Sequence, residues 1–134
     1  MAKIDTIEGI GPALSEKLAQ GGIKTCEQLL DKGCTKDGRQ ALEAATGISE
    51  SQLLKFVNHA DLMRIKGIGG EYSELLECAG VDTVPELAQR NAENLAAKIV
   101  EVNTEKKLVR LTPSAKQVQG WVDQAKTLPK LIHH

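Results

Sequence analysis

Aromatic side chains are almost missing from this chain: Phe56, Tyr72 and Trp121 are the only three. A protein that holds single-stranded nucleic acid by stacking successive bases needs a row of such rings, so that class is excluded. Cysteine is scarce and odd in number, and Cys26, Cys34 and Cys78 show no C-x-x-C spacing. Neither a disulfide framework nor a zinc site fits, and reduced thiols do. Long apolar runs are absent, and the opening MAKIDTIEG has no signal-peptide core. The expectation is a cytoplasmic protein with no membrane partner. Charge of one sign is not in excess either: 17 Lys plus Arg against 18 Asp plus Glu leave a net charge of -1. That balance argues against a polycation whose affinity comes from massed phosphate contacts.

What is present is repetition. With 134 residues and 41% hydrophobic composition the chain can build a core, and it does so from two related halves. IEGIGPALSEKLAQGGIKTCEQLLD from Ile7 matches IKGIGGEYSELLECAGVDTVPELAQ from Ile65 at ten of 25 positions, an offset of 58. Further on, SESQLLKFVNHADLM from Ser49 faces SAKQVQGWVDQAKTL from Ser114 at an offset of 65. Leu53, Phe56, Val57, Ala60 and Met63 correspond to Val118, Trp121, Val122, Ala125 and Leu128, in both cases the apolar stripe of an amphipathic helix. The second copy therefore carries seven extra residues between Gln89 and Ser114, and the basic stretch Asn103 to Leu111 is the expected place. The organisation expected is residues 1–64 and 65–134 as two repeats sharing one core.

Local signals are helical. Thr25 with Gln28, Ser49 with Gln52, Thr83 with Glu86 and Ser114 with Gln117 have capping-box spacing. Thr112 is a rival cap for the last helix, because Pro113 would then occupy the first helical position. Glycines at 21 and 22, at 47 and at 80 supply helix stops. The stretch Lys107 to Leu111 comes closest to strand alternation and is too short for a sheet. The fold class expected is all-α, with four or five short helices per copy.

The centre of each copy is a Gly-x-Gly turn, Gly9-Ile10-Gly11 and Gly67-Ile68-Gly69, with the isoleucine as a plug and a helix beginning after the second glycine. A helix start presents unpaired N–H groups and the positive end of the dipole, where a phosphate oxygen can sit. These residues, with Ile4, Ile7, Leu14 and Leu18 in one copy and Leu62, Ile65, Tyr72 and Leu76 in the other, resemble the helix-hairpin-helix family, an architecture of the SAM-like type. GGIKTCEQLL and AGVDTVPELA look like the extended form found in the RNA polymerase alpha C-terminal domain. Taken whole, the chain is most similar to a small bacterial tandem family known only as a domain of unknown function.

The resemblance implies sequence-independent binding of duplex DNA by the backbone amides of Gly9, Ile10, Gly11, Gly67, Ile68 and Gly69, with Lys17 and Lys66 as nearby cations. The family commonly places Lys or Arg just after the second glycine; here Pro12 and Ala13, or Gly70 and Glu71, stand there. Glu71 would repel a phosphate. Segment counts sharpen the point. Residues 65 to 90 carry a net -3, and residues 91 to 134 a net +3 that includes Lys106, Lys107 and Arg110 in the inserted stretch, a candidate nucleic-acid contact. The other reading is a protein-protein adaptor in which both turns are architectural.

No catalytic, metal or cofactor site is expected. Gly67-Ile68-Gly69-Gly70 lacks the third glycine and the preceding strand of a dinucleotide fingerprint. His59 and Asp61 are two apart on one helix and face different ways, with His59 expected at the surface and the scattered carboxylates mostly on outer faces. Cys26 aligns with Val84 and is expected as a small buried apolar residue, Cys34 as an exposed turn thiol. Trp121 and Phe56 are expected in the core. His133 and His134 read as a flexible end or the stub of a tag.

Overall fold

The computed structural model describes residues 2–133. Among them are eight α-helices and no strand: α1 (Pro12–Gln20), α2 (Cys26–Gly33), α3 (Lys36–Thr46), α4 (Glu50–Leu62), α5 (Gly70–Cys78), α6 (Val84–Ala88), α7 (Ala92–Lys106) and α8 (Ala115–Ala125), preceded by a 3-10 turn, Ile4–Thr6. The chain is all-α. Its backbone falls into two compact units, one running to Asp61 and regaining the chain from Leu131, the other Leu62–Lys130.

Helix ends follow the local chemistry. At α2 the capping box is complete, Gln28 N–H donating to Thr25 Oγ1 and the Gln28 side chain accepting from the Thr25 N–H. Ser49 and Ser114 accept from the N–H groups of Gln52 and Gln117. Ser114, not Thr112, thus caps α8, and Pro113 lies before the cap. Thr83 departs from the pattern: its hydroxyl faces the Glu86 carboxylate at 3.3 Å, and no backbone N–H of α6 reaches it. α1 and α5 stop alike. Ile23 N–H donates to Leu18 O at 2.8 Å and Gly22 N–H to Ala19 O, just as Val81 N–H donates to Leu76 O at 2.9 Å and Gly80 N–H to Glu77 O. This pairing closes a helix through a left-handed residue, and Gly22 and Gly80 supply it, with φ of 83° and 94°.

In the first unit α4 brings Leu53, Phe56, Val57 and Ala60 to a core with Ile7, Leu18, Ile23, Leu29 and Leu42. His59, expected at the surface, is inside at 0% exposure, and Asp61, close by in the sequence, is buried at 1%. The end of α4 is buried well beyond its apolar stripe, which a periodicity argument cannot foresee. Arg39 is buried as well, at 1% exposure. Its charge is fully engaged: Nη1 donates to Gly33 O at 2.8 Å, Nη2 to His133 O at 3.1 Å, and Nε meets the Glu50 carboxylate at 3.3 Å. His133 is therefore no loose end; its N–H also donates to Cys34 O at 2.7 Å, and Ile132 beside it is buried. His134 lies outside the described residues.

In the second unit the α8 stripe, Val118, Trp121, Val122 and Ala125, closes a core with Ile65, Ile68, Leu75, Leu76, Leu87, Leu95 and Ile99. Phe56 and Trp121 are both core residues, as expected. The basic stretch is only partly a loop. Asn103 to Lys106 form the last turn of α7, which is longer than α3, and Lys107 ends that helix in a left-handed conformation, φ 53°. Asn103 then clasps the returning chain: its amide donates to Val109 O at 2.9 Å and accepts from Val109 N–H at 3.0 Å.

Candidate nucleic-acid interface

The two Gly-x-Gly turns have the same conformation. Ile10 N–H donates to Ile7 O at 3.2 Å and Ile68 N–H to Ile65 O at 3.1 Å; Gly11 O and Gly69 O accept from Ser15 and Ser73, both at 2.9 Å. Gly9 and Gly67 have φ of 91° and 100°, where a side chain is strained. Gly9 lies against Phe56, and Gly67 against the Trp121 indole, which a Cβ would meet at 3.0 Å. Thus each turn is seated on the aromatic residue of its own unit's last helix. Ile10 and Ile68 are buried plugs, so only their backbone is available to a ligand.

Gly11 and Gly69 differ from the glycines before them. Their φ values, -93° and -101°, suit any residue, no side chain caps the helices that follow, and a Cβ at either would meet nothing within 4 Å. Packing and backbone geometry leave these two positions free to carry a side chain. The helix starts at α1 and α5 are consequently open to whatever approaches them.

Charge separates the two turns. Beside the first is a surface concavity of about 550 Å³ lined by Asp5, Ile10, Gly11, Pro12, Ser15, Glu16 and Ala19. Its charged lining is two carboxylates. Lys17, the cation expected there, is exposed and outside that lining. Beside the second turn a concavity of about 670 Å³ is lined by Glu71 and Tyr72 from the first turn of α5 and by Lys107, Leu108, Val109, Arg110 and Leu111. Two of the three basic residues of the inserted stretch are thereby brought to the helix that opens at Gly69. Lys106, at the end of α7, is exposed and not part of the lining. Glu71 is present in that lining together with two cations.

Three side-chain contacts that sequence reasoning did not foresee hold this arrangement. Gln124 on α8 brackets the second turn, its Oε1 accepting from Lys66 N–H at 3.0 Å and its amide donating to Lys66 O at 3.2 Å. The Lys66 side chain is left exposed at the turn. Tyr72 donates its hydroxyl to Leu111 O at 3.2 Å and lies tilted against Trp121, ring centres 5.3 Å apart. Together with the Asn103 clasp these contacts place the basic stretch. Gln124 had a signal of its own: at an offset of 65 it corresponds to His59, so the buried histidine occupies the position from which the second unit grips its turn.

The model of a family described as Domain of unknown function (DUF4332) matches residues 8–128. The chain belongs to that family. No curated protein and no solved structure matches it. In this DUF4332 chain the matched segment contains both Gly-x-Gly turns and the basic stretch; it leaves out the 3-10 turn at Ile4–Thr6 and the segment from Pro129 on. Among the described residues of the DUF4332 chain no three His, Cys, Asp or Glu side chains are grouped to hold a metal ion, and no helix is long and apolar enough to cross a membrane.

Proposed function

We propose that this protein is a non-catalytic, cytoplasmic binding module that holds duplex DNA weakly and without sequence preference, and that the second unit makes most of the contact. The reading takes the two halves as helix-hairpin-helix repeats, each Gly-x-Gly turn joining the preceding helical turn to α1 or α5. One observation carries it: Lys107 and Arg110 line the same concavity as the open first turn of α5. Backbone amides at Gly69 and Gly70 would take phosphate oxygens while Lys66, Lys107 and Arg110 supply charge. Glycine at 69, which neither φ nor packing requires, lets a phosphate approach the backbone closely.

Salt-titrated fluorescence anisotropy with duplex and single-stranded DNA tests the proposal. Duplex binding should weaken as salt rises, and Gly69→Leu should lower affinity about tenfold or more while Gly11→Leu changes it little. Absence of binding at about 50 mM salt, or affinity indifferent to Gly69→Leu, overturns it. A second reading has its own support. The carboxylate-lined concavity beside the first turn suits a cationic protein surface rather than a phosphate. An adaptor of that kind would bind its partner regardless of changes at Gly69.

A further inference from the structure

The chain leaves the first unit at Asp61 and returns to it at Leu131, and the returning segment is held in a peculiar way. It has no regular secondary structure, and burial alternates along it: Leu131 is 37% exposed, Ile132 3%, and His133 is exposed again. That is how an extended peptide lies in a groove. Its backbone is read from both sides, the His133 N–H by Cys34 O at 2.7 Å and the His133 carbonyl by Arg39 Nη2 at 3.1 Å.

The receptor is fixed by contacts of its own. Arg39 is anchored by Gly33 O and by the Glu50 carboxylate, so its remaining arm is aimed before the segment arrives. A guanidinium this deeply buried needs an acceptor on that arm, since a lost partner leaves buried donors unsatisfied. The groove therefore selects a chemistry rather than a shape alone: a backbone carbonyl and N–H at one residue, an apolar side chain at the residue before it.

We propose that the α2–α3 turn of the first unit is a docking site for an extended apolar peptide, and that this chain's own Leu131–His133 occupies it as a latch. Among the described residues the latch is held by one buried side chain and two hydrogen bonds to its backbone, so it opens by local fluctuation while the two units stay folded. Its release exposes the Ile132 side chain and frees one arm of Arg39, which loosens α3 and leaves α7 as it was.

Hydrogen exchange on the full chain tests this without relying on any variant. In the wild type the His133 amide should exchange through an opening almost insensitive to low denaturant. Exchange only through global unfolding overturns the proposal. Ile132→Asp should speed exchange across α3 about tenfold or more, Leu131→Asp should leave it near wild type, and α7 should not respond to either. A synthetic peptide of residues 127 to 133, added in excess to the Ile132→Asp chain, should restore the protection of α3. Equal effects of the two substitutions, equal loosening of α7, or failure of the peptide to restore protection overturns it. Protection that grows with protein concentration assigns the groove to the segment of a second copy and overturns the latch within one chain.

Discussion

Two glycines two residues apart, Gly67 and Gly69, do opposite work. At Gly67 φ is 100° and a Cβ would stand 3.0 Å from the Trp121 indole nitrogen. Gly67→Ala should lower stability by about 2 kcal/mol, the left-handed penalty plus the shift of Trp121. Gly69→Ala should leave the melting temperature unchanged or raise it slightly, because an alanine there only narrows the unfolded ensemble, by up to about 1 kcal/mol. Thermal melts of the two variants check the contrast. Cys26 offers a second residue-scale expectation. Burial, helped by the charges of Glu27 and Asp5 and opposed by its contact with Thr6, lifts its thiol above the ordinary 9.0. The folded state thus prefers the neutral thiol: this contribution is whole below pH 9 and is lost as the pH climbs above it. Stability should decline on the alkaline side, Cys26→Val should remove that part of the decline, and native alkylation should modify Cys26 more slowly than half-buried Cys34 and Cys78.

Elements in this chain are positioned by a few polar clamps on an apolar scaffold. Gln124 satisfies both backbone groups of Lys66, so Gln124→Ala should cost about 1–2 kcal/mol and loosen the second turn. Lys107 is the one described non-glycine residue with positive φ. Lys107→Gly should stabilise α7's end by about 1 kcal/mol while weakening any DNA contact, a pairing of signs that no purely structural role predicts. The apolar scaffold was legible beforehand: Leu53, Phe56, Val57 and Ala60 in one helix, and their counterparts in α8, are buried as the stripe demanded. Caps such as Thr25 and Ser114 were legible too, because they depend on residues three apart. The clamps were not. Asn103 with Val109, Gln124 with Lys66 and Arg39 with His133 join residues whose separation carries no local pattern. The burial of His59 and Asp61 was hidden because both are polar residues outside the apolar stripe that periodicity reads.

At the scale of the whole chain, a net charge of -1 conceals an unequal division. The concavity at the first turn carries Asp5 and Glu16; the one at the second carries Lys107 and Arg110 against Glu71. If DNA is held by the second unit alone, few phosphates are neutralised, and the logarithm of affinity should fall with the logarithm of salt at about -0.9 for each. Replacing Lys107 and Arg110 together by Gln should then make that slope shallower by about 2, whereas Lys17→Gln should not alter it. Glu71→Gln should raise affinity, by removing the one carboxylate in that lining. Salt titrations of these three variants check the division directly: a slope that responds equally to Lys17 and to the pair would mean that both turns share the load, and the two units would then have to be treated as equivalent in spite of their opposite linings.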